Sequence, residues 1–359
     1  MPSGKDTLDL LNREVGRRFP VRQVMVYSEG VVFLVDHSMG GMDEDFEALR
    51  MNLREMGFIA TLRESGGQYS IGVMKMPPVN TRSVRVNQIM LILTMATTVI
   101  SGSFLWGSYS GDLDLLAPSN LLWGAVYFAL PLLLILGTHE LSHFFMARRH
   151  GLNASLPFFI PSIPPIGTFG AFISIREPLP NRKALLDVGI SGPIGGFIVT
   201  LPVLFLGYHL TAVGGQLAQG EAGVMALLGV PLGMQLVSLL YPAAEGMFMH
   251  PTLFAAWLGL FVTGINLLPA GQLDGGHIAR SVLGERTKWM GIATVAALLV
   301  LSFFYTGWLI FAALIYFLGV IHPPPLNDIT PLDRKRRVLA GAALLLLLFC
   351  FTPLPIQAA

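Results

Sequence analysis

The sequence predicts a polytopic α-helical membrane protein: about seven transmembrane spans, a re-entrant loop between two of them, and a small N-terminal α+β cytosolic domain. Three observations carry this. The 359 residues are 53% hydrophobic and 13% charged, and the mean hydropathy is +0.63, far too apolar for an ordinary soluble chain. Charge is densest before about Pro77, and long apolar runs bounded by basic residues come after it. Within one such run stands His139-Glu140-Leu141-Ser142-His143. A net charge of +1, with the basic residues beside apolar spans, gives no nucleic-acid partner. The single cysteine, Cys350, permits no intrachain disulfide.

Residues 1–80 read as the cytosolic domain and 81–359 as the transmembrane domain. Leu8 to Phe19 suits a short helix. Val21 to Tyr27 and Val31 to Val35, joined by Ser28-Glu29-Gly30, suit a β-hairpin. Asp43 to Met56 places Phe46, Leu49, Leu53 and Met56 at helical spacing, and Phe58 to Leu62 can pair with Tyr69 to Met74 across Gly66-Gly67. This part holds no phosphate loop or ligand box, so a folded docking appendage is its simplest reading. Met1 to Arg18 mixes charges without an apolar core, so no signal peptide is expected and the N-terminus is placed in the cytosol.

Runs long enough for about 30 Å of hydrocarbon come next. They are Val86 to Trp106, Leu121 to Ala147, Val188 to Leu210, Leu253 to Leu268 with a broken extension, Met290 to Tyr305, Trp308 to Ile321 and Val338 to Phe351. Basic residues sit at the ends: Arg82 and Arg85, Arg148 and Arg149, Arg176 to Lys183, Arg280 to Lys288, and Arg334 to Arg337. No Lys or Arg lies between Lys183 and Arg280. With seven spans and the N-terminus inside, every basic cluster falls on the cytosolic side, the expected arrangement for a cell-membrane protein.

Leu156 to Ile175 carries Pro157, Pro161, Pro164, Pro165, Gly167 and Gly170 and cannot be one helix, yet it is almost uncharged. Such backbone enters a membrane only if protein covers it or it lines a cavity, so a re-entrant loop or hairpin is expected; an interfacial loop is the other reading. Thr211 to His250 is apolar enough for an interfacial helix around Met234 to Leu240.

Three ionisable side chains inside a span each cost about 2.5 to 3.5 kcal/mol on insertion scales, so the pentapeptide is expected to be functional. In a helix, residues four apart share one face. His139 and His143 can thus point at one metal while Glu140 flanks it, the HExxH arrangement of two imidazoles on zinc and a carboxylate base. The extended HExxHxxGxxH pattern fails, with Met146 in place of its glycine and Arg149 in place of its third histidine. Glu177 is followed by Pro178 and Pro180 in a basic loop, and His150 sits beside two arginines at the membrane edge.

The better third ligand is Asp274. In Asn266-Leu-Leu-Pro269-Ala-Gly-Gln-Leu273-Asp274-Gly275-Gly276, proline and glycines break a span, freeing backbone groups and letting a carboxylate face inward. His143 precedes its basic boundary by five residues and Asp274 precedes Arg280 by six, on spans of the same direction, so the two lie at similar depth. One Zn2+ held by His139, His143 and Asp274 with a position left open would acidify water and polarise a carbonyl, with Glu140 moving the proton. Asn266 either hydrogen-bonds substrate or an oxyanion, or caps the helix break. His277 is a partner of the ligands or an interfacial residue, and His322 a loop residue.

These residues resemble the site-2 protease family of membrane-embedded zinc metalloproteases. His139 to His143 matches its HExxH, and Asn266 to Gly275 matches its NxxPxxxxDG. The resemblance implies zinc ligation by His139, His143 and Asp274, Glu140 as the catalytic base, and a three-span metalloprotease core over about 121–280. The implied activity is hydrolysis of membrane proteins in or next to a transmembrane helix, within the lipid bilayer. Gly167-Thr-Phe-Gly170 resembles a glycine-containing re-entrant element that helps present substrate. About forty residues between Thr211 and His250 leave no room for a PDZ domain; the pattern is similar to archaeal and plastid members without one. Oligomeric state and natural substrate are not readable.

Two other classes compete. A secondary transporter also uses broken spans with an intramembrane acid, but the HELSH segment has no counterpart in the second half of the chain. A non-catalytic helix-binding relative would tolerate loss of the base, yet Glu140 is intact. A diiron oxygenase would need more carboxylates and histidines on helices than are present.

Overall fold

A computed structural model describes residues 4–36, 40–77, 84–214, 228–244 and 247–356. Arg82 and the expected domain boundary near residue 80 lie outside the described residues, as do 215–227 and 245–246 of the stretch between the third and fourth spans. The chain divides into two compact units, one formed by the N-terminal residues with Pro178–Leu185 and Pro323–Asp333, the other by the rest.

The first unit begins with α1 (Gly4–Gly16), which ends three residues before Phe19. Then come β1 (Val21–Val26), β2 (Gly30–Val35), α2 (Met42–Glu55), β3 (Phe58–Ser65) and β4 (Gln68–Lys75). The strands form an antiparallel sheet in the order β1-β2-β4-β3. Alternate strand residues Phe33, Val35, Leu62, Ile71 and Val73 meet the apolar stripe of the helices, Leu11, Val15, Phe46, Leu49 and Leu53. That is the period-two and period-3.6 match from which a two-layer core is built.

β3 is an edge strand, and its unpaired backbone groups find partners far along the chain. The Leu62 amide donates to the Leu326 carbonyl at 2.8 Å, and the Arg63 guanidinium donates to the same oxygen at 2.8 Å. Asn181 and Asn327 form a further parallel bridge, Arg182 pairs with Asp328 at 2.9 Å, and Ile329 packs on the core. Two segments that hydropathy leaves as inter-span loops are therefore part of this fold.

The second unit opens with α3 (Val84–Ser110). Next come α4 (Pro118–Gly124), a π-helical turn (Ala125–Ala129) and α5 (Leu130–Arg149), which continue as one apolar helix. A two-stranded antiparallel hairpin, β5 (Phe158–Pro161) and β6 (Thr168–Phe172), leads to α6 (Arg182–Gly214). The helices described after it are α7 (Leu232–Ser238), α8 (Pro251–Asn266), α9 (Asp274–Leu283), α10 (Thr287–Leu301), α11 (Gly307–Leu318) and α12 (Arg334–Cys350).

Among the described residues, three helices are long and apolar enough to cross a membrane: α3, the continuous helix 118–149, and α6. The later apolar runs become shorter helices of 16, 15, 12 and 17 residues. At 1.5 Å per residue α11 is about 18 Å long, well short of the hydrocarbon thickness.

Pro131 cannot donate to the carbonyl four residues earlier, so the Tyr127 oxygen is left free by the helix. The Thr252 hydroxyl of α8 donates to it at 2.8 Å. The core of this unit gathers Phe128, Leu132 and Leu136 with Leu253, Phe254 and Trp257. Buried indoles are partnered: Trp257 donates to the Gly229 carbonyl and Trp308 to that of Pro353.

The Pro/Gly segment is a hairpin held against α3. The Asn87 amide donates to the Leu156 carbonyl at 2.9 Å and the Thr97 hydroxyl to the Gly167 carbonyl at 2.7 Å. Gly167 has φ +80°, and a Cβ there would lie 2.6 Å from the Thr97 carbonyl oxygen, so only glycine turns the chain this close to the helix.

Candidate metal centre

His139, Glu140 and His143 are all buried on α5. The four-residue spacing of the histidines puts both imidazoles on one face, and Nε2 of His139 lies 3.2 Å from Nε2 of His143. The partner carboxylate comes from the break between α8 and α9. There Pro269 ends the helical path and Asp274 restarts it as the first residue of α9, where the helix dipole favours a negative charge. Gly275 makes the tight return possible, since a Cβ would lie 2.0 Å from the Leu267 carbonyl oxygen.

Asp274 Oδ2 stands 3.2 Å from His139 Nε2 and 3.3 Å from His143 Nε2. The three atoms thus form a nearly equilateral triangle. Ligands about 2.0 Å from a tetrahedral zinc are separated by about 3.3 Å. Two imidazoles and a carboxylate at these separations fit that ion in both donor type and spacing. Glu140 Oε1 is 4.0 Å from His139 Nε2.

His143 Nδ1 donates to the Val188 carbonyl of α6 at 2.8 Å. This bond holds one tautomer, with Nε2 unprotonated and available as a ligand. α6 comes so near because residue 192 is glycine: a Cβ there would lie 2.1 Å from His143 Nε2. Neither Val188 nor Gly192 emerges from motif reading, although the glycine density of Val188-Gly-Ile-Ser-Gly-Pro-Ile-Gly-Gly196 inside an apolar run is the signal that marks a close helix contact.

The Asn266 side-chain amide lies 3.5 Å from His139 Nε2. With His139, Glu140 and Gly170 it borders a cavity of about 790 Å³ whose other walls are mostly apolar, including Phe254, Trp257 and Phe311. Gly167 stands against α3, whereas Gly170 faces the cavity. His277 donates from Nδ1 to the Leu273 carbonyl at 3.0 Å and packs edge-on against His322 at 4.4 Å, outside the triangle. His322 lies in a loop, as expected, and is buried there.

Fold and centre together define a helical membrane protein in which two histidines and an aspartate are spaced for a single metal ion. The chain belongs to peptidase family M50, whose model matches residues 127–309; the site-2 protease resemblance of the two motifs is borne out. The protein named "Probable zinc metalloprotease EGY2, chloroplastic" of Arabidopsis thaliana is 34% identical over 235 residues, which is 63% of this chain and 41% of that one. Its namesake in Oryza sativa subsp. indica is 33% identical over 241 residues, 64% of this chain and 43% of that one. "Probable zinc metalloprotease EGY1, chloroplastic" of Arabidopsis thaliana is 32% identical over 256 residues, 65% and 44%. The chain spans about two fifths of the length of the curated relatives it matches. No solved structure gives a significant match.

Proposed function

We propose that the protein is an intramembrane zinc endopeptidase that hydrolyses peptide bonds in or next to transmembrane segments of other membrane proteins. The observation that carries this reading is the triangle of His139, His143 and Asp274, with edges of 3.2 to 3.3 Å, at the wall of an apolar cavity. His139, His143 and Asp274 would hold one Zn2+, which supplies a Lewis acid that acidifies water and polarises a carbonyl.

The remaining chemistry belongs to side chains of this chain. Glu140 takes a proton from the attacking water and returns it to the departing amide nitrogen. Asn266 offers its amide N–H groups to the oxygen on which negative charge develops. The cavity walls exclude bulk water and receive apolar substrate side chains. Gly170 and the hairpin that carries it lie beside the place where an extended substrate would run.

The seven apolar segments are read as spans, α10 and α11 as a paired, shallow pair, and the hairpin as the element that enters the membrane. The basic clusters place the N-terminus and the opening of the centre toward the cytosol, with the cell membrane as its location. The plastid location in the relatives' names is theirs.

The test is cleavage of a single-span membrane protein by purified protein in lipid bilayers. The parent cuts and Glu140→Gln does not, while keeping its zinc. Equal cutting by the two removes this reading.

A further inference from the structure

We propose that Asp187 is a positioning residue of the metal centre, clamped by Arg336 and His150 so that the next two residues of α6 hold His143 and the Asp274 segment in register. This rests on the zinc-site reading above and adds to it the device that keeps the centre in shape. The geometry joins three helices. His150 is the residue that ends α5, Asp187 lies in the second turn of α6, and Arg336 lies in the first turn of α12.

Arg336 grips the carboxylate at both oxygens, Nε to Oδ1 at 2.8 Å and Nη2 to Oδ2 at 2.6 Å. His150 Nε2 donates to Oδ2 at 3.0 Å. The Asp187 side chain is only 13% exposed. A two-pronged guanidinium–carboxylate pair fixes direction as well as distance, which a point charge would not.

The two residues after Asp187 tie this anchor to the centre. Val188 accepts the His143 Nδ1 proton at 2.8 Å. A Cβ on Gly189 would lie 2.6 Å from the Cβ of His277 and 3.1 Å from the Asp274 carbonyl oxygen. Three consecutive residues therefore touch the clamp, one ligand and the segment that bears another. α6 carries Pro193 and Pro202 inside its length, so its own hydrogen bonding leaves it poorly braced. A slip of α6 by a fraction of an ångström would lengthen the Val188 bond and release His143 from its tautomer. His150, adjacent to the basic end of α5, thereby has a partner and a purpose that spacing to a metal does not give it.

The experiment measures zinc affinity by chelator competition on the purified full chain in lipid, with the visible spectrum of the cobalt-substituted protein as a second readout. Asp187→Asn keeps the shape and removes the charge. It is expected to weaken zinc binding about 10- to 100-fold, the usual effect of losing a partner behind a ligand, and to alter the cobalt bands. Arg336→Lys keeps a cation without the two-pronged grip and is expected to fall between parent and Asp187→Asn. If Asp187→Asn does not fold, the Arg336→Lys result decides. Zinc affinity and cobalt bands like the parent's, in whichever variant is folded, overturn the proposal even if its melting temperature drops, since that is all a merely structural role would move. His143→Ala separates the two readings. If it binds zinc as the parent does, the centre itself is misassigned; if it loses zinc while the clamp variants keep theirs, only the positioning role falls.

Discussion

His143 occupies the space that a side chain on residue 192 would need: its Nε2 is 2.1 Å from the position of a Cβ on Gly192. Replacing Gly192 by Ala forces the imidazole aside, away from the Val188 carbonyl and out of the ligand triangle. The expected result is a loss of zinc affinity of at least about 10-fold. Helix propensity works in the other direction, since alanine favours a helix over glycine by about 1 kcal/mol. Loss of zinc without a matching fall in melting temperature is the signature, read by metal analysis beside a thermal melt. Parent-like zinc content would mean that the helices part more easily than their packing implies.

Glu140→Gln keeps the size of the side chain and removes the base. Cleavage is expected to drop by about 10²- to 10⁴-fold while zinc content stays near that of the parent. Turnover and metal stoichiometry measured on one preparation check both halves of this statement.

Asp274→Ala removes one corner of the triangle and should leave the protein unable to retain zinc through dialysis, with cleavage lost in proportion. A strong chelator should silence the parent in the same way, and added zinc should restore the parent but not the variant at equal concentration. Retention of zinc by Asp274→Ala would remove this aspartate from the ligand set.

Thr97→Val deletes the hydroxyl that donates to the Gly167 carbonyl and so loosens the hairpin from α3. Hydrogen bonds between membrane helices are worth about 0.6 to 1.7 kcal/mol, which corresponds to about a 3- to 20-fold loss in kcat/KM if the hairpin guides substrate. Zinc content should not change. A variant as fast as the parent would leave the hairpin without a part in catalysis.

Thr252→Val removes the donor that satisfies Tyr127 above Pro131. The cost should be about 0.6 kcal/mol and not above about 2 kcal/mol, measured as reversible unfolding in bicelles. A larger loss would show that the proline break is not relieved elsewhere.

The grouping of His139, Glu140 and His143 with Asp274 was legible because its energetics are local and harsh. Three ionisable groups in an apolar run have few explanations, and the distances of His143 and Asp274 from their basic boundaries set a common depth in the sequence itself. The N-terminal α+β unit was legible from alternation and helical spacing, with strand and helix limits within a few residues. The pairing of β3 with β4 was legible too, but what lies along the other edge of β3 was not. Leu326 and Asn327 bind it through main-chain groups, which carry no side-chain code, so nothing in their composition separates them from an inter-span loop. Hydropathy likewise measures how much of the chain is apolar but not where a helix stops. The run from Met290 to Ile321 contains two short helices that meet at a turn, and neither alone has the length of a span. The clamp of Asp187, Arg336 and His150 was hidden for a third reason: its members lie far apart in the chain, and a charge near a membrane edge reads first as a topology signal.

α6 combines six glycines and two prolines in 33 residues, a composition that would hardly stay helical in water. Its regularity is lent by surroundings in which backbone groups have no solvent to turn to. The helix packed against His143 thus depends on the lipid for its regularity. Extraction into a thin detergent shell admits water to those backbone groups and should slacken α6 before the rest of the bundle yields. Preparations that keep their fold by circular dichroism would then lose metal and activity together, and a lipid nanodisc, not a colder buffer, would be the remedy.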